Sequence, residues 1–275
     1  TLRDYSGSTA LAQVFAQWQH KFSDKFLITI GAHNQYFLLN KSQSLEPRLG
    51  LRYNLSTKQA ISFGAGIHSQ LQPMYIYFAT DTTAGHQVET NRDLDFTRAA
   101  HSVLAYDFNF AKNFRLKVEA YYQYIYRAPV KNTANYFSAL NLGADFTSPN
   151  VTNLVSRGNG YNYGIEITIE KFYSQGYYFL VTSSLFESKY QGSDKVWRNT
   201  AFNGNYVFNA LAGKEFKIGQ KHSITLDVRG TYSGGKYFTP IDLQASMAAN
   251  IEVLMINEAY SKKYPDYFRL DVKPG

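Results

Sequence analysis

Residues 114–127 alternate strictly in character. Phe114, Leu116, Val118, Ala120, Tyr122, Tyr124 and Tyr126 fall on one side. Arg115, Lys117, Glu119, Tyr121, Gln123 and Arg127 fall on the other, and Ile125 is the single apolar exception. Side chains of a strand point alternately to its two faces, so this segment makes a strand with one greasy and one charged surface. It is also long. Strands of soluble domains average about 5 or 6 residues, whereas a tilted strand needs about 9 to 11 to cross the hydrocarbon of a bilayer.

The same period of two recurs along the chain. Val14 and Trp18 alternate with Gln13, Gln17 and Gln19, and Phe26, Ile28 and Ile30 with Thr29, Gly31 and His33. Leu49, Leu51 and Tyr53 alternate with Arg48, Gly50 and Arg52, and Ile61, Phe63 and Ile67 with Ser62, Gly64 and His68. Further on, Leu104, Tyr106 and Phe108 face away from His101 and Asp107. Ile165, Ile167 and Ile169 alternate with Glu166, Thr168 and Glu170, and Ile224, Leu226 and Val228 with Thr225, Asp227 and Arg229. Stretches 177–187 and 205–217 are strand-like but less cleanly two-faced, and 268–273 begins another. About eleven strands result.

Short turns rich in Asn, Asp, Gly and Ser, at 23–25, 57–59, 112–113, 173–176 and 219–221, alternate with long connections at 39–45, 74–97, 128–160, 188–204 and 234–266. Outer-membrane barrels show this asymmetry, with tight periplasmic turns and long outer loops. Aromatics crowd the tight-turn ends (Trp18, Phe22, Phe26, Tyr53, Phe108, Phe110, Phe114, Phe172, Tyr177 and Phe216), where a girdle at headgroup level is expected. The expected fold is therefore all-β, an antiparallel transmembrane β-barrel seen in part. An odd count of eleven strands does not close a single-chain barrel of this kind.

Composition agrees. The 275 residues include 23 Tyr and 20 Phe, yet mean hydropathy is −0.34, as alternating strands require. No run approaches the roughly 18 apolar residues of a spanning helix. Cysteine is absent, which excludes disulfides and thiolate metal sites. The net charge of +7 comes without any clustered Lys/Arg run, so nucleic acid is not an expected partner.

Several segments resemble the C-terminal part of the barrel of TonB-dependent outer-membrane receptors of the Bacteroidetes type. They include Glu46-Pro47-Arg48-Leu49-Gly50-Leu51-Arg52-Tyr53, Gly64-Ala65-Gly66-Ile67-His68 and Lys117-Val118-Glu119-Ala120-Tyr121-Tyr122-Gln123. Others are Gly158-Asn159-Gly160-Tyr161-Asn162-Tyr163-Gly164-Ile165-Glu166, Arg198-Asn199-Thr200, Gly213-Lys214-Glu215-Phe216 and Phe268-Arg269-Leu270-Asp271. The resemblance implies a 22-stranded barrel in the outer membrane of a Gram-negative cell, crossing many times and holding a plug domain. It implies energy-coupled uptake of an extracellular nutrient of unspecified identity. Its implied partners are membrane lipids and lipopolysaccharide, the plug, the TonB energy-coupling complex acting through it, and a surface lipoprotein. Residues 1–275 then form one barrel fragment, with the plug, the N-terminal strands and the last strands outside it. Val272-Lys273-Pro274-Gly275 departs from the family's pattern, since Pro274 cannot donate to a ladder.

No enzymatic activity, catalytic residue, cofactor or metal is expected. The functional candidates are nine charges placed on the lumenal face by alternation: Arg48, Arg52, Arg115, Lys117, Glu119, Glu166, Glu170, Asp227 and Arg229. A charge on the lipid face costs about 2 to 4 kcal/mol at the midplane, so these should face the lumen and pair with the plug. Tyr75, Tyr77, Tyr136 and Phe137, in the long connections, are candidates for stacking on a ligand. Three other sets carry less weight. His33, His68 and His101 with Ser69 would suggest a rim hydrolase, but no compact nucleophile–base–acid set accompanies them. Asp81, Glu89, Asp93 and Asp95 lack an EF-hand's glycine and terminal Glu. Gly158, Gly160, Gly64 and Gly66 open no helix and read as bends or small lumenal positions. The alternatives are a passive porin, a barrel hydrolase, and a soluble β-sandwich or propeller adhesin.

Overall fold

The computed structural model describes residues 7–83, 86–143 and 151–275. In chain order its strands are β1 (Leu11–Lys21), β2 (Phe26–Phe37), β3 (Ser42–Asn54), β4 (Gln59–Gln70), β5 (Thr80–Thr83), β6 (His86–Glu89), β7 (Thr97–Ala111) and β8 (Phe114–Lys131). They continue with β9 (Leu154–Ser174), β10 (Tyr177–Gln191), β11 (Trp197–Asn199), β12 (Tyr206–Ile218), β13 (His222–Ser233), β14 (Tyr237–Phe238), β15 (Lys262–Lys263) and β16 (Tyr267–Pro274). One antiparallel sheet runs β1-β2-β3-β4-β7-β8-β9-β10-β12-β13-β16, a path of eleven strands, with β11 folded back on β10. Each wall strand pairs with its successor in the wall, and β1 and β16 form the two edges.

The turns follow from local chemistry. Ser23 Oγ accepts from the N–H groups of Lys25 and Phe26, closing β1 onto β2. Asn113, Gln175, Gly176 and Gly219 supply the positive φ angles that tight hairpins need.

Register separates two faces across the whole sheet. One row reads Ile28, Leu51, Phe63, Leu104, Ala120, Ile165, Leu185, Tyr206. The neighbouring row reads Leu27, Arg52, Ser62, Ala105, Glu119, Glu166, Ser184, Val207, Ser233. The first face is apolar and open, with Leu104 54% and Ile165 50% exposed. A continuous uncovered apolar face of this extent is a lipid surface.

Aromatic rings bound that surface at both ends. At the tight turns Phe22 lies 5.9 Å from Phe26 and Phe110 lies 5.5 Å from Phe114. At the other end, on the same face, Tyr124 stacks near Tyr126 and Tyr161 near Tyr163 and Trp197. The sequence reading singles out only the first of these belts. Phe114 and Tyr124 are ten residues apart along β8. At about 3.3 Å per residue and a tilt of about 40° they span roughly 25 Å, the height of a barrel's apolar band.

Two connections and the last strand differ from the sequence reading. The stretch 39–45 is not a long loop: residues 38–41 make a tight turn, with Asn40 Oδ1 accepting from Ser42 N and Lys41 at φ 60°, and strand resumes at Ser42. Short and long connections therefore do not alternate without exception. The stretch 128–160 shrinks to 132–153, because β8 and β9 run to 18 and 21 residues. Pro129 and Gly158 look like breaks in sequence. They sit instead at bulges, where the β8–β9 register shifts and Arg127 takes φ 58°. At the chain's end Pro274 stays in β16, paired with Leu226 on an edge strand, where a missing donor is tolerated.

The remaining long connections are structured. A cluster of Phe37, Ile76, Tyr77, Leu94, Phe96, Val151 and Leu154 joins 71–96 to the region following 150. Asn91 locks it, its amide donating to the carbonyls of Ile76 and Val151 and accepting from Leu154 N.

Candidate functional site

The nine sequence-predicted charges share the polar face. Arg48 and Arg52 sit two register steps apart on β3. Arg115, Lys117 and Glu119 on β8 stand opposite Glu170, Thr168 and Glu166 on β9, and Arg229 stands opposite Leu211 of β12. They are not one cluster but three stations along the wall.

At the tight-turn end, Asp107 gathers Arg115 (2.6 and 3.1 Å) and Arg52 (3.8 Å), while Lys117 pairs with Glu119 at 2.7 Å. Glu119 and Glu166 face each other across the β8–β9 ladder, an arrangement that costs energy unless a cation intervenes, and Lys117 supplies it. Arg52, Asp107, Arg115, Lys117 and Glu119 line an open groove of about 500 Å³.

Nearer the long loops, Glu46 is 1% exposed and collects donors from every side. It accepts from Gln35 Nε2, Arg48 Nη2 (3.1 Å), Ser44 Oγ (3.3 Å) and the backbone N–H of Ser69 (3.0 Å), and contacts His33 Nδ1 at 3.0 Å. Arg48 also reaches His68 at 3.4 Å, and His68 stacks on His101, their centroids 4.5 Å apart. His33, His68 and His101 thus do face inward. Among the described residues Ser69 Oγ has no hydrogen-bond partner.

On β13, Asp227 accepts from Tyr178 Oη at 2.9 Å, and Gly213 leaves room for that ring. At the β9–β10 turn Lys171 is 2% exposed. Its ammonium donates to the carbonyls of Ser174 and Tyr177 at 2.9 Å and lies 3.6 Å from the centroid of the Tyr177 ring.

The loop aromatics are placed less uniformly. Tyr77 is fully buried, 5.3 Å from Phe37, with its hydroxyl accepting from Gln72 N, and burial pushes that hydroxyl up to about 12. It is a core residue of the loop cluster and presents no ring to a ligand. Tyr75 and Phe137 pack on the same cluster, half-buried, and Tyr136 is half-buried beside Gly192. Three of the four acidic loop residues are engaged by separate donors. Asp81 accepts from Asn153, Glu89 from Arg92 and Asp95 from Arg127. Among the described residues no group of three or more His, Asp or Glu is arranged to hold a metal ion.

Glu46, Asp107 and Tyr178 join the site without having been candidates from sequence, whereas Lys171 stands opposite Phe114 and Phe179 on the apolar face, at the tight-turn end. Glu46 shares the parity of Arg48 and Arg52 along β3. That parity is the available signal, and reading 39–45 as loop obscures it.

No protein-family model matches the sequence, and no curated protein does. Solved structures do resemble it. The FrpB iron transporter of Neisseria meningitidis (F3-3 variant) aligns over 97% of this chain and 39% of its own, at 14% identity and a TM-score of 0.62. The pyoverdine outer membrane receptor FpvA of Pseudomonas aeruginosa PAO1, solved bound to pyoverdine, aligns over 97% and 35%, at 10% identity and 0.67. The ferric yersiniabactin uptake receptor FyuA of Yersinia pestis aligns over 96% and 38%, at 10% identity and 0.66. The chain spans under two fifths of the length of these structures. Its fold is that of part of the barrel of TonB-dependent outer-membrane receptors.

Proposed function

We propose that this chain is a section of the barrel wall of an outer-membrane receptor that imports an extracellular nutrient by TonB-dependent energy coupling. The observation that carries the reading is the pair of faces. One is an apolar band roughly 25 Å tall between two aromatic belts. The other carries most of the polar side chains of the strands and the ion pairs of β3, β7 and β8. Such a wall belongs between lipid and a hydrated or protein-filled lumen, in the outer membrane, with lipid and lipopolysaccharide against its apolar face.

In this reading the lumenal charges face a plug domain of the same receptor. Arg48, Arg52, Arg115, Lys117, Glu119, Glu166, Glu170, Asp227 and Arg229 supply fixed charge for it to dock against. The TonB complex acts on that plug, and a surface lipoprotein of the Bacteroidetes type assists at the outer loops. Substrate contact falls to Tyr75, Tyr136 and Phe137 in those loops. The unpaired edges of β1 and β16, and the share of each similar structure that is covered, support a wall segment of a larger barrel. A passive porin would share the wall but not the coupling.

Two measurements test this. Protease-cleavable tags in the full-length parent protein should be cut from outside at Thr133 and only after envelope rupture at Gln175. The purified parent should also be captured by the periplasmic domain of TonB. Equal accessibility of both tags refutes the membrane reading, and correct topology without TonB capture leaves the porin.

A further inference from the structure

The apolar face carries charge in one place. Between the outer aromatic belt and the tight turns, the described strands turn two Lys residues to that face and no Arg, Asp or Glu. They are Lys171 of β9 and Lys214 of β12. Both adjoin Tyr177. Lys171 Nζ lies 3.6 Å from its ring centroid, and Lys214 is its register partner across the β10–β12 ladder. A cation on a lipid face is costly at depth and tolerated at headgroup level, and both lysines sit at the turn end.

The two are satisfied differently. Lys171 is buried, and its ammonium donates to the carbonyls of Ser174 and Tyr177 and to Ser174 Oγ, with no carboxylate to neutralise it. Lys214 is exposed and, among the described residues, takes part in no ion pair. Its ammonium lies 5.0 Å from the Phe216 ring, one row nearer the turn. The side chain thus leans out of the hydrocarbon toward the headgroups.

Beside Lys214 the same face is hollow. Tyr177, Phe179, Phe216, Leu226 and Val228 surround an apolar groove of about 450 Å³ that crosses Ala212. Ala212 stands between Phe179 and Val228. In the next row toward the midplane, Ala210 and Gly230 stand between Val181 and Leu270. A Cβ added at Gly230 would meet nothing within 4 Å, so the hollow continues past it. Lys214 to Ala210 covers about 13 Å of strand. The unpaired cation at the headgroup end gives this groove a polarity that an apolar hollow alone would lack.

We propose that the groove holds an anionic phospholipid of the periplasmic leaflet, its phosphate on Lys214 and one acyl chain along Ala212, Ala210 and Gly230. Lys171 adds a second fixed positive charge behind Tyr177. A zwitterionic lipid brings its own ammonium to these cations and gains less from them, which selects an anionic headgroup. The proposal rests on the membrane placement above, with the tight turns on the periplasmic side.

The test is native mass spectrometry of the detergent-solubilised parent receptor titrated with dioleoylphosphatidylglycerol or dioleoylphosphatidylethanolamine. The first phosphatidylglycerol adduct should form at least tenfold more tightly than the first phosphatidylethanolamine adduct. Lys214→Gln should lower that ratio at least fivefold, and Lys214→Arg should keep it. Ala212→Phe, which fills the groove, should weaken the phosphatidylglycerol adduct at least fivefold. Lys112→Gln, in the β7–β8 turn, should change neither. Heat-modifiable gel mobility checks that each variant is folded.

Equal binding of the two lipids overturns the headgroup assignment. A preference that survives Lys214→Gln, or tight binding that survives Ala212→Phe, overturns the site. Each of these results leaves tag topology and TonB capture standing, so the lipid site and the import reading fail separately.

Discussion

A carboxylate buried among donors cannot be removed without stranding what it satisfied. Glu46 neutralises Arg48 and caps Ser69 N, and both keep their polarity when it is gone. Arg48 is half exposed and recovers some solvation, so Glu46→Ala should cost about 2 kcal/mol. Urea-driven unfolding in detergent reads that loss, and an unchanged midpoint would show the network to be incidental. Asp266 gives a pH dependence outside the membrane. It accepts from the hydroxyls of Tyr206 at 2.6 Å and Tyr232 at 2.9 Å, which holds its carboxyl below the usual carboxylate range. A lowered folded-state value means that stabilisation is complete above the unfolded value of about 4 and is lost as pH falls through the folded one. Proteolysis of loop 234–266 should therefore accelerate below about pH 4. Asp266→Asn should abolish that acceleration, and a mutant with the same acid profile would rule out this carboxylate.

At the scale of strands, the two faces predict opposite tolerances. Ile167→Arg, on the lipid face of β9, should cost about 2 to 4 kcal/mol, whereas Thr168→Arg beside it should be nearly neutral. Equal costs in a refolding titration would contradict the face assignment. Alternation makes the two faces legible in the residues alone, because a period of two survives wherever one face meets lipid and the other does not. Strand ends are less legible. Pro129 and Gly158 carry the chemistry of breaks, and only the pairing of β8 with β9 shows that bulges absorb them. The site is legible in the same measure. Inward charges follow from parity, but the partners Asp107 and Glu46 depend on which strands adjoin. Tyr77 cannot be told from a surface aromatic by sequence, since its burial comes from contact between a short helical turn, Met74–Tyr77, and Phe37 on β2.

For the whole molecule, the sheet has two free edges and one apolar face. Expressed by itself, this chain should sediment unless detergent is present, because unpaired edges and bare apolar surface both drive association. Recovery of a monomer in plain buffer would argue against a lipid-facing wall. Supplying the rest of the parent barrel should restore a heat-modifiable species on gels.

The loop cluster closed by Asn91 bears on rates. Connecting segments that must be ordered at the moment of capture add an entropic cost to the encounter and slow it. Here the 71–96 segment is already held to Val151 and Leu154 ahead of any ligand's arrival. On the proposed import reading, capture on this side of the mouth would be limited by diffusion and orientation rather than by folding. Removing the tether through Asn91→Ala would show itself first in the association rate, ahead of the dissociation rate.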